Sequence, residues 1–451
     1  MSRLFPGADS GRAATRKGLL LGLLAVLAAT VVSLLRTSGT GPLQSVFEED
    51  ARDILSDALD TSGAKAVLTP VQGYFVIGPR LLGELATFFP ISWAAAVLSI
   101  GSAVICGLLA VQVYVAAGAH VRNRWARVAV AAPLLLVPVA ENMYSEIYNR
   151  PVCLHFFALY ALFWVLLWTP SSRAGRAGAL TTVGLTAVST ALIVGYLPLA
   201  ITRLCLRRDR LSTVMFALVV AGSALQVAAA TTSLGRIPRD NSMRLDPGWA
   251  LLRFADWALP QALLGTRSGH PDPSLVAAFV PTIGVVALAW AIVGLVVAAA
   301  VLGARRGALS PAWLLSAALG VHAVGLLALQ IMINGSISQR YTTIPAQLLI
   351  AALVVLLPPA AGRSRLASSP LAALCALLLA VAAVNYRSAQ TYRHDAPQWT
   401  DQLRQATQWC ADNPAKSAVV VRGAPKPLMS YVVIPCHEVR GYTETPWLDP
   451  P

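Results

Sequence analysis

Long apolar stretches alternate with short polar segments along almost the whole chain. A helix of about 18 residues, rising 1.5 Å per residue, crosses the roughly 30 Å of hydrocarbon in a bilayer. The pattern therefore predicts an all-α polytopic membrane protein. The clearest stretches are 18–35, 91–119, 152–168, 211–234, 275–303, 311–333, 341–358 and 369–386.

Composition supports this interpretation. The mean hydropathy is +0.63 and only 12% of the 451 residues are charged, which is too apolar for a soluble chain of this size. A net charge of +14 is typical of nucleic-acid binding, but the basic residues lie in short clusters between apolar stretches. We interpret these clusters as cytoplasmic loops and exclude nucleic acid as a partner. They are Arg3, Arg12, Arg16 and Lys17; Arg122, Arg124 and Arg127; Arg173 and Arg176; Arg203, Arg207, Arg208 and Arg210; Arg305 and Arg306; Arg363 and Arg365.

The charge clusters also set the number of crossings. If all of them are cytoplasmic, the chain crosses the membrane an even number of times between neighbouring clusters. The short segment 128–140 must therefore cross outward so that 152–168 can return. Segment 178–203 then forms a hairpin of two short helices near Gly195; the alternative is one long span that places Arg207 outside. The hairpin gives about 11 transmembrane helices, with a cytoplasmic N-terminus and an extracytoplasmic C-terminus in the plasma or inner membrane.

The first span follows basic residues, as a secretory signal peptide does. Its length, the absence of a clear small-x-small site and the charge pattern favour an uncleaved anchor. Two external loops follow from this topology, at 36–90 and 236–274, and each carries apolar residues at helical spacing among charges. We expect both loops to form helices that lie on the membrane interface.

The chain thus divides into a membrane domain, 1–386, and an extracytoplasmic tail, 387–451. The tail is polar, with a β-rich run at 417–422 and a second at 431–434, and we expect a small folded appendage. Cys410 and Cys436 both lie in this oxidising compartment, which favours a disulfide over two free thiols.

The strongest candidate for chemistry is the acidic run Glu48-Glu49-Asp50, which follows the first span. Clustered carboxylates repel one another, which raises pKa values unless a cation or polar substrate lies among them. Glu49 and Asp50 could supply a general base, or could hold a divalent cation such as Mg²⁺, Mn²⁺ or Ca²⁺. The simpler alternative is a solvated polar face that keeps the loop outside.

These residues belong to a wider pattern. An anchor, the pair Glu49-Asp50, then Gly73-Tyr74 and Pro79-Arg80 leading to the second span, resembles the GT-C superfamily of polytopic glycosyltransferases. In particular, the chain is similar to bacterial members with a W-x-E-D-G, G-Y and P-R first loop, an Asn-x-His-Trp-like element before the fourth span, and a late Arg-Tyr, here Arg340-Tyr341. Phe47 and Ala51 depart from the first element. Arg150, Pro151 and a displaced His155 depart from the second.

The resemblance implies an enzyme of GT-C-like architecture that uses a polyprenyl-phosphate-linked sugar donor outside the cytoplasm. The acceptor is an envelope glycan, lipid or protein, and the first-loop acid is a base or metal ligand. Arg80 and Arg340, each near the external end of a span, are candidates for donor phosphate binding together with Tyr341. The alternative for either arginine is snorkelling to lipid headgroups. Candidate substrate-lining residues are Tyr74, Glu141, Glu146, Asn149 and His155; capping of helices and packing are their alternatives.

Two other functions remain open. A flippase for lipid-linked sugars needs polar side chains through its spans, whereas these spans are nearly free of charge. A non-catalytic envelope scaffold is the third possibility. No P-loop, dinucleotide fingerprint or zinc spacing is present in the sequence, which makes ATP-driven transport by this chain alone a poor interpretation.

Overall fold

The computed structural model describes residues 4–6, 16–61, 63–139, 146–232, 246–265, 282–335, 337–362, 365–387, 393–422 and 430–440. These residues are mostly helical, with one two-stranded antiparallel sheet. In chain order the first helices are α1 (Arg16–Leu34), a π-helix (Asp50–Leu55), α2 (Ser56–Thr61), α3 (Gly63–Val67), α4 (Ile77–Thr87), a 3₁₀ turn (Ile91–Trp93), α5 (Ala94–Ala116), a 3₁₀ turn (Ala117–Ala119), α6 (Arg124–Ala131), α7 (Pro133–Leu136), α8 (Leu154–Leu167) and α9 (Arg173–Ala187).

The second half continues with a 3₁₀ segment (Ala191–Tyr196), α10 (Leu197–Leu206), α11 (Arg210–Thr231), α12 (Pro247–Arg253), a π-helix (Phe254–Ala258), α13 (Leu259–Leu264), α14 (Ile283–Arg305), α15 (Trp313–Asn334), a 3₁₀ turn (Gln339–Thr342), α16 (Thr343–Val354), a 3₁₀ turn (Arg365–Ser368) and α17 (Ser369–Val384). The tail contributes α18 (Trp399–Asp412), β1 (Ala418–Arg422), β2 (Tyr431–Pro435) and α19 (Cys436–Arg440).

Five of the described helical segments are long and apolar enough to cross a membrane, as the sequence predicted for a membrane protein. Many of their leucines face outward; Leu23 and Leu295 are 61% and 71% exposed. Apolar surface of this extent is stable against lipid rather than water. The five segments are Arg16–Leu34, Ile91–Ala119, Arg210–Thr231, Ile283–Arg305 and Trp313–Asn334, and shorter apolar helices occupy Leu154–Leu167, Ala191–Leu206 and Ser369–Val384.

Two short helices form the centre of the bundle. All twelve residues of α16 are buried, and α8 is buried along nearly its whole length. The Tyr160 hydroxyl of α8 donates to the carbonyl of Val130 at 2.6 Å. This carbonyl lies just before Pro133, where the segment predicted as a span at 128–140 divides into α6 and α7. Proline lacks an N–H and disturbs the helical hydrogen-bond ladder, which accounts for the division.

The segment predicted as a hairpin does reverse direction. Arg203, near the end of α10, donates to the carbonyl of Trp168 at 2.8 Å, and the start of α9 packs on the same tryptophan at Gly175. The turn lies at 188–190, however, and not near Gly195. Thr190 caps the following 3₁₀ segment, whereas Gly195 lies where a Cβ atom would come within 2.7 Å of Leu326. Gly195 therefore serves close packing against α15.

The first external loop packs on protein, which differs from the predicted interfacial helix. Its apolar residues Val46, Phe47, Ile54 and Leu55 are all at most 4% exposed. Strand β2 covers part of this loop, because the Ser56 hydroxyl accepts from the amide of Val433 at 3.0 Å. The sequence pattern identified the amphipathic face but not the partner that covers it.

The second external loop is described only at 246–265, where α12 and α13 flank a short π-helix. Leu251 and Leu252 are more than half exposed, while Trp257 and Leu263 are buried against other helices. Arg253 pairs with Asp256 at 3.0 Å. One side of this segment thus faces outward, and the other belongs to the protein interior.

The tail is attached to the first loop rather than separate from it. A disulfide joins Cys410 of α18 to Cys436 of α19. Arg393 is buried and donates to the Ser45 hydroxyl at 2.7 Å, to the Ser45 carbonyl at 2.9 Å and to the Ser99 hydroxyl of α5 at 3.0 Å. This single side chain holds the tail, the first loop and a membrane helix together.

Candidate functional site

A buried guanidinium organises the acidic run that the sequence singled out. Arg150 has no exposed side-chain surface and lies over the Phe47 ring, 4.4 Å from its centroid. Its Nη2 is 2.7 Å from Glu49 and 3.1 Å from Glu48, and its Nε is 3.1 Å from Asp50. All three consecutive carboxylates therefore converge on one cation. In the sequence, Arg150 departed from the expected motif and belonged to a polar loop that could lie beside Glu49-Asp50, but its ion pairs with all three acids were not predicted.

Asp50 is the most firmly held of the three acids. It is 2% exposed, and its second oxygen accepts the backbone N–H of Val152 at 2.8 Å. Burial raises the pKa of this carboxyl, while Arg150 and the Val152 amide oppose the rise. Asp50 is thus a link between the first loop and the 146–153 segment.

Glu48 and Glu49 differ strongly in proton affinity. Burial raises the pKa of Glu48 to about 7, reinforced by the neighbouring Glu49 and opposed by Arg150. Burial also acts on Glu49, but Arg340 and Arg150 outweigh it and lower the pKa to about 2. Both carboxylates lie at the Nη2 of Arg150, so their charges interact, and near neutral pH the two together hold one exchangeable proton.

Backbone strain marks the same region. Among the described residues, the non-glycine residues with positive φ are Glu48 (44°), Gln72 (49°) and Asn149 (58°). Such conformations cost free energy and concentrate at ligand-binding positions. Here they lie in the acidic run, in the wall of the adjoining cavity and immediately before Arg150.

A narrow cavity of about 70 Å³ lies beside the acidic run. The predicted residues Glu49, Tyr74, His155, Arg340 and Tyr341 all contribute to its wall. The structure thus brings together residues from the first loop, α8 and the 3₁₀ turn before α16. The wall also contains residues that were not predicted from the sequence, namely Gln72, Val152, Cys153, Phe156, Thr190, Ala191, Leu192, Gln330, Ile333 and Asn334.

Arg340 is the loosely held cation of this cavity. Its side chain is 26% exposed, and its Nη1 is 3.6 Å from Glu49 and 4.0 Å from Glu48. These separations exceed those of a hydrogen-bonded ion pair, whereas Arg150 is at hydrogen-bond distance from the same acids. Arg340 can therefore turn to an anionic ligand without breaking a short hydrogen bond to either acid.

His155 has a defined orientation at the other side of the cavity. Its Nδ1 is 2.6 Å from the carbonyl of Val152. A carbonyl only accepts, so Nδ1 carries the proton and Nε2 is an acceptor in the neutral ring. His155 also lines a large apolar groove of about 740 Å³ between α4, α5, α8 and α9. It therefore marks where the cavity and the groove adjoin.

Other predicted residues lie away from the cavity wall. Arg80 is buried and donates to Asp57 at 3.0 Å and to the carbonyl of Asp53 at 3.0 Å, which stabilises the first loop internally. Asn149 bonds Ser33 and Thr37, so it fixes the 146–153 segment to the end of α1.

Two glutamates, Glu146 and Glu141, were also predicted to line the substrate site. Glu146 is buried, and its carbonyl accepts from Arg150 at 3.0 Å. Glu141 lies outside the described residues.

The predicted metal ligands do not suit a divalent cation in this arrangement. The carboxylates of Glu49 and Asp50 face the guanidinium groups of Arg150 and Arg340. Across the described ranges, no group of three or more His, Cys, Asp and Glu side chains could hold a metal ion. The positive charge beside these acids is supplied by arginine.

Known proteins add no assignment. No protein-family model matches this chain, and a search of curated proteins finds no match. The case for function consequently depends on the geometry of the site.

Proposed function

We propose that this protein is a membrane glycosyltransferase of GT-C-like architecture with about eleven spans. It moves a sugar from a polyprenyl-phosphate donor to an envelope glycan, lipid or protein acceptor on the extracytoplasmic face. The observation that carries the proposal is the junction of a charged cavity, containing Arg340 and Glu49, with an apolar groove at His155. A phosphate head with a long hydrocarbon tail requires both environments next to each other.

The groove suits a lipid chain. Leucines from α4 and α5, including Leu82, Leu85 and Leu108, line it, and its polar contribution includes the pair Thr182 and Gln112. A polyprenyl tail already lies in the bilayer before it binds, so the groove holds it by van der Waals packing rather than by removing it from water. The head could then remain at the cavity with Arg340.

The reaction follows from the charges. Arg340 turns from Glu49 toward the donor phosphate and pairs with its oxygens in fork geometry. The acceptor oxygen forms a bond to the anomeric carbon while the bond from that carbon to the phosphate oxygen breaks. The acceptor proton passes to the Glu48–Glu49 pair, and the polyprenyl phosphate leaves with its added negative charge stabilised by Arg340. Asp50 and Arg150 hold the pair in position.

A flippase needs a polar route through the membrane. The groove is predominantly apolar and adjoins the charged cavity, and this arrangement favours chemistry at the interface. Lipid-sugar transport without transfer would be the result that supports the rival function.

The test is transfer of radiolabelled sugar from synthetic polyprenyl-phosphate donors to envelope lipids by the purified protein. Arg340→Met should lower transfer by about 10²-fold or more, because a charge that stabilises the leaving phosphate is lost. Arg340→Lys should recover only part of it, since lysine cannot pair in fork geometry. Arg404→Met is the matched control, because Arg404 forms an exposed ion pair with Asp401 in the tail. Unchanged transfer by the Arg340 variants would refute the proposed role.

A further inference from the structure

Gln330 has an amide orientation that its neighbours determine. Its Nε2 is 3.1 Å from the carbonyl of Tyr341 and 3.2 Å from the carbonyl of Leu326. A flipped amide would place its oxygen against two acceptors, so the nitrogen must occupy this position. The identity of the opposite atom, Oε1, is fixed by the same contacts.

That oxygen is left without a protein partner. Gln330 is 1% exposed, and its Oε1 has no hydrogen-bond partner among the described residues. An unpaired buried acceptor is destabilising, and such groups are usually satisfied by a ligand or ordered water. Gln330 also belongs to the wall of the cavity that contains Arg340 and Tyr341. A hydrogen-bond donor on a bound molecule is the natural partner.

We propose that Gln330 accepts a hydrogen bond from a hydroxyl group of the transferred sugar and thereby contributes to sugar recognition. The inference rests on the proposed function and specifies how the same site recognises its substrate. It adds a neutral acceptor to the phosphate-binding role of Arg340.

The connection between these residues gives the proposal its geometry. The amide nitrogen of Gln330 holds the carbonyl of Tyr341, which directly follows Arg340. Gln330, which binds the hydroxyl in this proposal, is therefore hydrogen-bonded to the turn whose Arg340 binds the phosphate. In a phosphate-linked sugar these two groups are separated by only a few bonds, so one short wall can contact both. Because the cavity holds only about 70 Å³, a group that enters it touches the wall closely.

The experiment compares the affinity of two classes of probe for the purified full-length protein in nanodiscs. Farnesyl methyl phosphate carries the phosphodiester without a sugar. Farnesyl phosphate esters of glucose, mannose, galactose and arabinofuranose carry the same group with hydroxyls. The quantity of interest is the ratio of the two dissociation constants, which isolates the contribution of the sugar.

We expect the best sugar probe to bind at least about tenfold more tightly than farnesyl methyl phosphate to the unmodified protein. Gln330→Leu should remove most of this ratio. The variant also loses the bond to the Tyr341 carbonyl, so its own affinity for farnesyl methyl phosphate is the reference for the ratio. Gln347→Leu is the matched control: Gln347 is equally buried, its Nε2 bonds the carbonyl of Pro133, and its Oε1 likewise has no partner in the described structure. Gln347 is outside the cavity wall, so its variant should keep the ratio.

A second measurement needs no variant. Monodeoxy analogues of the best sugar probe should include one that binds about tenfold more weakly, because the acceptor loses its donor. Equal affinity across the series, or a ratio that survives Gln330→Leu, would overturn the inference. A protein that shows the ratio but transfers no sugar would instead contradict the proposed function. If the protein transfers sugar but Gln330→Leu leaves the ratio of dissociation constants unchanged, the proposed function holds and Gln330 does not bind the sugar.

Discussion

Glu48 and Glu49 occupy neighbouring positions yet hold protons very differently. Burial raises the pKa of Glu48 to about 7, whereas Arg340 and Arg150 overcome the effect of burial and lower that of Glu49 to about 2. A general base works best when its pKa is close to the operating pH. Under the proposed function, Glu48 is therefore the proton acceptor of the pair, and Glu49 is the charged group in contact with the cavity.

This assignment predicts a pH dependence. Below about pH 7 Glu48 is protonated in the folded protein and cannot take the acceptor proton, so single-turnover transfer should fall about tenfold per pH unit. Above that value the rate should level off. Glu48→Gln should lower the plateau by about 10²-fold or more and abolish the slope, since the pKa of Glu49 is too low for an effective base.

The measurement is the transfer rate between about pH 5 and about pH 8. Glu84→Gln provides the control, because the Glu84 carboxylate accepts the amide of Gly63 on the outer part of the first loop. That variant should reproduce the unmodified profile. A rate independent of pH across this range in the unmodified protein would show that Glu48 is not the base.

Sequence reasoning reached the site only in part. The acidic run and Arg340-Tyr341 were visible because charged residues are rare in this chain and lie at span ends. Arg150 broke a motif but also belonged to a polar loop that could lie beside Glu49-Asp50; the sequence did not show that its charge meets three acids. Gln72 and Gln330 carry no distinctive pattern, and only the fold places them at the cavity.

At the scale of elements, hydropathy identified the long helices but not every boundary. The chain reverses direction within the segment predicted as a hairpin, with its turn at the Thr190 cap rather than at Gly195, which is required for close packing. Periodicity also identified the apolar face of the first loop. It could not show that β2 and the protein core cover this face, because that contact joins segments nearly 380 residues apart. Long-range contacts of this kind are absent from local sequence patterns.

The tail acts on the site through Arg393. Its guanidinium donates to Ser45, three residues before the acidic run, and to the carbonyl of Asn149, which precedes Arg150. Arg393 therefore positions the two segments that form the charged cluster. Lysine offers a single compact donor group and cannot span these acceptors.

Arg393→Lys should consequently loosen the first loop and the 146–153 segment while the membrane helices stay folded. Hydrogen exchange followed by mass spectrometry should show faster exchange in peptides covering 42–50 and 146–153, with α14 unchanged. Arg422→Lys, at the end of β1, is the control, since its side chain is exposed. Faster exchange confined to the tail would show that Arg393 anchors the tail without positioning the site.

Over the whole molecule, the acidic side chains are concentrated at one end, where arginines pair with several of them. One end contains the acidic run, the cavity and the disulfide-linked tail. At the other end Arg207 bonds the carbonyl of Phe5, and Arg203 bonds that of Trp168, so several basic segments lie together. Basic loops favour the cytoplasmic side, and disulfides persist in oxidising compartments. Both rules predict that the end with the basic segments faces the cytoplasm and that the end with the disulfide-linked tail faces outward.

This orientation can be tested with single cysteines and a membrane-impermeant maleimide on intact cells. Lys416→Cys in the tail should react, because its side chain is exposed and the predicted orientation places the tail outside. Gly307→Cys, in the loop after α14, should react only after the cells are permeabilised. The exposed native Cys205 is replaced by serine in both proteins so that it does not contribute signal. Labelling of position 307 in intact cells would show that the topology is the opposite of the predicted one. The cavity and the tail lie at the same end of the molecule, so this result would also remove the basis for placing sugar transfer on the extracytoplasmic face.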